Sequence, residues 1–379
     1  MLLVFGASRL LFFWAGTLAA ALLPWATPGG SPLEPPGFLS YWAHWDGAWY
    51  VEIATEGYGE RAPQSTAFFP LFPLLVRLGS VVGGGPALWG VLVSLAATLF
   101  ATYFVYRVAE KYGGIRVARA ATLCFSFFPT AFFLNAPYTE ALFLAFSAGS
   151  YWAAYVRRDL LLAGILGALA AATRNLGVLL LIPLLYEWLR HRQEFGWRGL
   201  LGMGLVPAGL LGYVAFLWAR FGDPLLFARQ QGDYWGRELT NPGETLGRAW
   251  SAAAAGMRYV LEPATLFVER DPTAALSASN TLNLVFLVLF LVLMGVGFAV
   301  LPPGLSVYTF AVTLLPILTP TPSFPLMSLP RFMLGAFPLF LVLGYLLSKN
   351  RPALWAWLVL SGSLGAALTA MFATWRWVA

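Results

Sequence analysis

The sequence predicts an all-α protein that crosses a membrane many times. Three observations carry this. Hydrophobic residues make up 59% of the 379 and charged residues only 11%, with mean hydropathy +0.72, whereas a soluble domain carries about 25% charged residues. Apolar runs approaching the ~20 residues of a membrane span recur along the chain. Basic residues gather in short stretches between those runs, as the positive-inside rule expects of cytoplasmic loops.

The elements follow in order. A first span is expected over residues 10–26, with Arg9 at its start snorkelling to the interface. No basic stretch precedes it and no small-x-small cleavage site follows, so it reads as a retained anchor. A polar loop then carries Glu34, Asp46, Glu52, Glu56 and Glu60 against a lone Arg61. Residues 67–82, rich in Phe and Pro, are too short and broken for a comfortable span. The spacing of Trp42, Trp45, Trp49 and Ile53 predicts that residues 27–82 form short helices at the membrane surface, not strands.

Further spans are expected over 87–107, 118–134, 138–156, 160–189 and 200–219, then 281–300, 305–318, 332–347 and 353–372. A second long loop covers 220–280. Basic groups at Arg107, Lys111, Arg116 and Arg119, at Arg157 and Arg158, at Arg190, Arg192 and Arg198, and at Lys349 and Arg351 orient the map. With these four loops and the N-terminus cytoplasmic, both long loops face outward. Both ends of 160–189 are basic, which requires two crossings. Two short helices meeting near Arg174 and Asn175 satisfy this where they line a cavity instead of lipid. The expectation is a single integral membrane domain, 1–379, of about eleven transmembrane helices.

Composition also excludes. The single Cys124 permits no internal disulfide, and His44 and His191 are the only histidines, so there is no dedicated cluster for a metal. The net charge of +6 reports cytoplasmic loops, not nucleic-acid binding.

Ionisable groups at the membrane edge or inside it are functional candidates, because burying them is costly. Asp46 lies among aromatics, with Trp45 before it and Trp49 and Tyr50 after. It reads either as a cap of an interfacial helix or as a general base with a raised pKa. Glu140 falls just inside a helix start, where it complements the helix dipole, with Asn135 or Thr139 near the cap. Arg174 stands mid-way in an apolar stretch and requires an anionic partner: Asp46, Glu140 or a ligand phosphate. Arg331 opens a span on the outer side, and Arg is a preferred phosphate binder. Together an acid and two guanidiniums in one outward cavity suit transfer from a phosphorylated donor. The acid takes a proton from an incoming hydroxyl, and the arginines hold the departing phosphate.

The string WDGAWYVEIATEGYG followed by TAFFPLFPLLVRL closely resembles the first lumenal loop of the PIG-V family. FFPTAFFLNAPYTEALF resembles that family's aromatic-then-Tyr-Ser-Glu segment, with Thr139 in place of Ser. ATRNLG, DPLLFARQQGDYWGREL and LPRFMLGAFPLFLVL resemble further family segments. Eukaryotic PIG-V proteins add the second mannose of the GPI anchor and belong to the GT-C superfamily of polytopic glycosyltransferases. The resemblance implies a prokaryotic member with a GT-C fold, and an inverting transfer of a hexose, mannose foremost, from a polyprenyl-phosphate donor. The acceptor would be a lipid-linked or cell-envelope glycan hydroxyl at the outer face of a bacterial or archaeal cytoplasmic membrane.

In this scheme Asp46 matches the proposed GT-C base, and Arg174 and Arg331 bind donor phosphate. Glu140, His44, Tyr138 and Asn175 are supporting polar groups. Trp45, Trp49, Tyr50 and Trp235 pack on sugar or lipid. A divalent metal serves some GT-C relatives, but none is assigned here. A flippase for lipid-linked sugars and a non-catalytic subunit of a glycosylation complex are the two rival readings. No internal repeat of the kind many transporters show is seen.

Overall fold

The computed structural model describes residues 1–26, 39–59, 62–268 and 272–378, and these are helical with no strand among them. Part of the first loop, including Glu34, Glu60 and Arg61, lies outside the described residues.

Helix α1 (Leu2–Leu22) is followed, after a 3-10 turn at Ser40–Trp42, by two short helices, α2 (Asp46–Glu56) and α3 (Leu71–Ser80). The described part of the first loop is therefore short helices, as the Trp spacing predicts. Helix α4 (Pro86–Ser126) contains a break at Gly114, whose φ of 78° is in the left-handed region that glycine tolerates. This puts the turn among Arg107, Lys111 and Arg116, where a basic loop is expected. The next helix stops at Ser126, three residues before Pro129, instead of running to 134.

The link from α4 to α5 (Thr139–Trp152) is the deepest part of the molecule, with every residue from Phe128 to Ala145 buried. Non-helical backbone at depth must find hydrogen bonds, and Arg9 supplies two to carbonyls and a third to a side chain of the link. Its Nη1 donates to Ala131 O (2.8 Å) and to Asn135 Oδ1 (2.7 Å), and its Nη2 to Ser126 O (2.9 Å). Arg9 is only 4% exposed. It does not snorkel: it stands within α1 and pins the re-entrant link. Asn135 is correspondingly not a helix cap but the acceptor for Arg9.

Helix α6 (Leu160–Thr173) ends at Arg174, whose extended backbone (φ −156°, ψ 143°) leads through a 3-10 stretch, Asn175–Leu180, into α7 (Leu181–Arg190). Two short helices thus meet at Arg174, as both basic ends demand. Helices α8 (Arg198–Leu205) and α9 (Ala208–Phe221) join at a 42° bend. The stretch 220–280 holds α10 (Leu226–Asp233) and the amphipathic α11 (Pro242–Leu261). Helices α12 (Pro272–Val300), α13 (Pro303–Leu318), α14 (Leu329–Phe332), α15 (Phe337–Leu347) and α16 (Arg351–Ala373) complete the fold. Helix α5 packs along α4, which is also lined by α15.

Among the described residues four helices are long and apolar enough to span a membrane, or six if each bent pair counts as one span. Leu71–Ser80, Leu160–Thr173 and Pro303–Leu318 are apolar but shorter. Eleven is therefore not reached by length and composition. Helices α5, α6 and α15 are only 14, 14 and 11 residues long, and such lengths are tolerated where neighbouring helices, not lipid, surround them.

Candidate active site

Four breaks in helical structure converge on one cavity of about 340 Å³. Asp46 is the first residue of α2, and Glu140 the second of α5, so two helix N-termini present carboxylates to it. Arg174 comes from the junction after α6, and Arg331 from the short α14. Helix α2 approaches the α4–α5 link closely at Gly47, where a Cβ would lie 3.1 Å from the Tyr138 ring, a tight contact. The Tyr138 hydroxyl donates to His44 O (2.8 Å), tying the same two segments.

The charges alternate. Arg331 Nη2 meets Asp46 Oδ2 at 2.7 Å, Arg331 Nε meets Glu140 Oε1 at 3.2 Å, and Arg174 Nη1 donates to Glu140 Oε1 at 2.9 Å. Arg174 thus has the carboxylate partner its position requires. The Arg331 and Glu140 side chains are 6% and 2% exposed, Asp46 and Arg174 21% and 17%. The guanidiniums are also sandwiched by rings: Arg174 sits 4.7 Å and Arg331 5.0 Å from the centre of Phe332, and Arg331 lies 5.3 Å from that of Tyr138.

Hydrogen-bonding capacity of both kinds is left over. Arg331 Nη1 and Glu140 Oε2 are buried without a hydrogen-bond partner among the described residues. Asp46 Oδ2 is occupied by Arg331, and no hydrogen bond engages Oδ1 among the described residues. Burial, followed by the charge on Glu140, raises the Tyr50 phenol above its ordinary range, so it stays neutral beside Thr139 (Oη to Oγ1 3.1 Å).

A third guanidinium, Arg237, was not singled out by residue type or pattern. It lines the cavity from the turn after α10. Its Nη1 and Nη2 donate to the carbonyls of Thr319 (3.0 Å) and Met327 (3.4 Å). No carboxylate among the described residues pairs with it, and burial, then the nearby positive charge of Arg331, lowers its pKa to about 10. The cavity therefore holds three guanidiniums against two carboxylates. The only available signal for Arg237 was its place in the DYWGREL segment.

Of the other candidates, Tyr50, Tyr138, Asn175 and Trp235 line the cavity. His44, Trp45 and Trp49 do not. His44 is 1% exposed, with Nδ1 3.0 Å from Phe372 O and its ring stacked on Trp375 at 4.1 Å. Trp45 and Trp49 do not share a helix face: Trp45 precedes α2 with φ 54° and meets Trp375 and Trp377, while Trp49 stacks on Phe68. Asp46 and Glu140 already share Arg331, and no three His, Cys, Asp or Glu side chains group among the described residues.

Short, broken helices thus converge on a charged cleft. The fold is shared with ArnT from Cupriavidus metallidurans, solved bound to undecaprenyl phosphate. The TM-score is 0.52 at 14% identity, over 95% of this chain and 62% of that one. The chain thus spans about 62% of the length of that protein. The Archaeoglobus fulgidus oligosaccharyltransferase, solved with Zn and sulfate, gives a TM-score of 0.45 at 13% identity, over 95% of this chain and 53% of that one. Residues 36–182 match the family model of the mannosyltransferase PIG-V. That stretch, less than half of the chain, is similar to the PIG-V family. The matched stretch includes Asp46, Glu140 and Arg174, while Arg237 and Arg331 lie beyond it. No curated protein matches.

Proposed function

We propose that this chain is an inverting glycosyltransferase that moves a hexose, mannose foremost, from a polyprenyl-phosphate donor to a hydroxyl of a lipid-linked or envelope acceptor. The observation that carries this reading is the surplus of guanidinium over carboxylate in one cavity, with Arg237 held by two carbonyls and the Phe332 ring and by no carboxylate among the described residues. Such a site favours an anion. A carboxylate with a free oxygen stands beside it.

In the reaction, the acceptor oxygen attacks the anomeric carbon as Asp46 takes its proton through Oδ1. The bond from that carbon to the phosphate oxygen breaks, and its electron pair leaves with the phosphate. Arg237 and the unpartnered Nη1 of Arg331 receive that charge, so the Arg331–Asp46 pair need not break. Arg174 reinforces the field and keeps Glu140 neutralised. The phosphate departs as an anion, so no separate general acid is required. The basic loops support an outward-facing cleft in a multi-pass topology.

The test is incubation of the purified protein with radiolabelled polyprenyl-phosphate mannose and membrane lipid extract. Labelled product is expected, and it should vanish with Asp46→Asn. If the protein moves the donor across a vesicle without consuming it, the flippase reading replaces this one.

A further inference from the structure

Beyond α16 the chain turns back into the cleft. Ala26 N donates to Thr374 O (3.0 Å), and Arg376, 1% exposed, donates from Nη1 to Pro24 O (2.8 Å) and from Nη2 to Phe267 O (3.0 Å). A ladder of rings runs through this segment. His44 stacks on Trp375, Trp375 meets Trp45 edge-on at 5.2 Å, and Trp45 meets Trp377 edge-on at 4.9 Å. Both Trp45 (φ 54°) and Trp375 (φ 63°) adopt the left-handed backbone region. Bulky residues are rarely held there, and such strain persists only where the surroundings over-determine it. The ladder ends at Trp377, which lines the cavity together with Asp46. The Trp377 Nε1 is buried and has no hydrogen-bond partner among the described residues, and the same is true of Trp45 Nε1.

We propose that Trp377 is the acceptor platform of the cleft, receiving a ring polyol, that is, a hexose or a cyclitol headgroup. This rests on the transferase reading above. An indole presents an apolar face to the C–H face of such a ring and one N–H to a hydroxyl oxygen. It carries no charge for a phosphate. An in-line displacement puts the attacking hydroxyl opposite the leaving phosphate, hence on the side of the base. Trp377 touches Trp45, the residue immediately before Asp46, so its ring belongs to that side. Arg237, which pairs with no carboxylate among the described residues, takes the other partner.

Two probes separate the sources of a ring polyol: methyl α-mannoside for a glycan, and short-chain phosphatidylinositol for a lipid headgroup. Each is added to the purified protein in lipid nanodiscs, with binding read by saturation-transfer NMR. The wild type should bind at least one. Trp377→Ala should weaken that binding by about tenfold, and Trp377→Phe, which keeps the ring but loses the N–H, by about threefold. Undecaprenyl phosphate affinity should stay unchanged in both variants. The proposal is overturned if the wild type binds neither probe, or if neither variant alters probe binding. It is equally overturned if undecaprenyl phosphate affinity falls in step with the probe in both variants. Failure of sugar transfer with the Trp377 effects intact would instead remove the transferase reading and leave a ring-polyol site.

Discussion

Two glutamates are buried to nearly the same degree, Glu140 at 2% and Glu187 at 1% exposure, and their surroundings differ. Glu187, on α7, accepts from the Tyr151 hydroxyl (3.3 Å) through Oε1 and from Arg158 Nη1 (3.3 Å) through Oε2, with His191 Nδ1 at 3.6 Å. Neither of its oxygens is left over. None of these four residues lines the charged cavity. Glu140 shares one oxygen between Arg174 and Arg331, leaves the other unpartnered, and faces a cavity with a further guanidinium. Buried charge by itself therefore does not tell the two apart. Unused donors and acceptors around a cavity do, because a closed network has nothing to offer a ligand.

The largest effect expected from this contrast is at Asp46. A hydroxyl must lose its proton as the glycosidic bond forms, and Asp46→Asn keeps the shape while removing the basicity. Transfer from polyprenyl-phosphate mannose should fall by about 10² to 10⁴, with undecaprenyl phosphate binding largely retained. Glu56→Gln, at an exposed residue outside the cavity, should be tolerated. Substantial transfer by the Asn variant would move the base elsewhere.

The second effect concerns anion binding. Arg237→Ala should weaken undecaprenyl phosphate binding by about tenfold, the worth of a charge-assisted hydrogen bond. Arg158→Ala, in the closed network, should leave that affinity unchanged. Equal losses in the two variants would dissolve the distinction between open and closed networks.

Much of the site was legible because its chemistry is local. Asp46, Glu140, Arg174 and Arg331 are conspicuous in apolar surroundings, and an intramembrane Arg demands a partner on energetic grounds alone. The junction of two short helices at Arg174 followed from charge at both ends of one apolar run. What stayed hidden depends on tertiary contact. Arg237 sits in a polar stretch, and only the return of residues 319–327 buries it against two carbonyls. Trp377 follows the last long helix and resembles an interfacial anchor until the chain turns back. Arg9 resembles a snorkelling residue because its acceptors lie more than a hundred residues away. Length and composition alone mark only four to six spans among the described residues, because helices shielded by neighbours need not match the bilayer in length.

The closed network makes its own prediction, smaller and of another kind. Removing Arg158 leaves a buried carboxylate with one neutral donor and a histidine. Arg158 is 30% exposed, so solvent screens part of the loss. Arg158→Ala should cost about 2 kcal/mol of stability, visible as a lowered Tm in detergent. Sugar transfer per folded molecule should stay at the wild-type rate. A loss of transfer beyond the loss of folded protein would mean that the two networks communicate.

The smallest effect is at His44, where burial, opposed by the hydrogen bond to Phe372 O, lowers the imidazole pKa from 6.5 to about 4. A carbonyl only accepts, so Nδ1 carries the proton in the neutral folded form, and the ring lies stacked on Trp375. The unfolded chain takes up a proton as pH falls through 6.5, and the folded chain does not until about 4. Stability due to this residue is therefore complete above pH 6.5 and is lost progressively on acidification towards 4. Between pH 6.5 and 5.5 the loss is about 1 kcal/mol. His44→Phe removes the titration and keeps a ring for the stack. The Tm of the wild type should accordingly fall more steeply than that of the Phe variant over this range. Parallel slopes would show that His44 takes up its proton in the fold as readily as in the unfolded chain, and that burial does not hold it neutral.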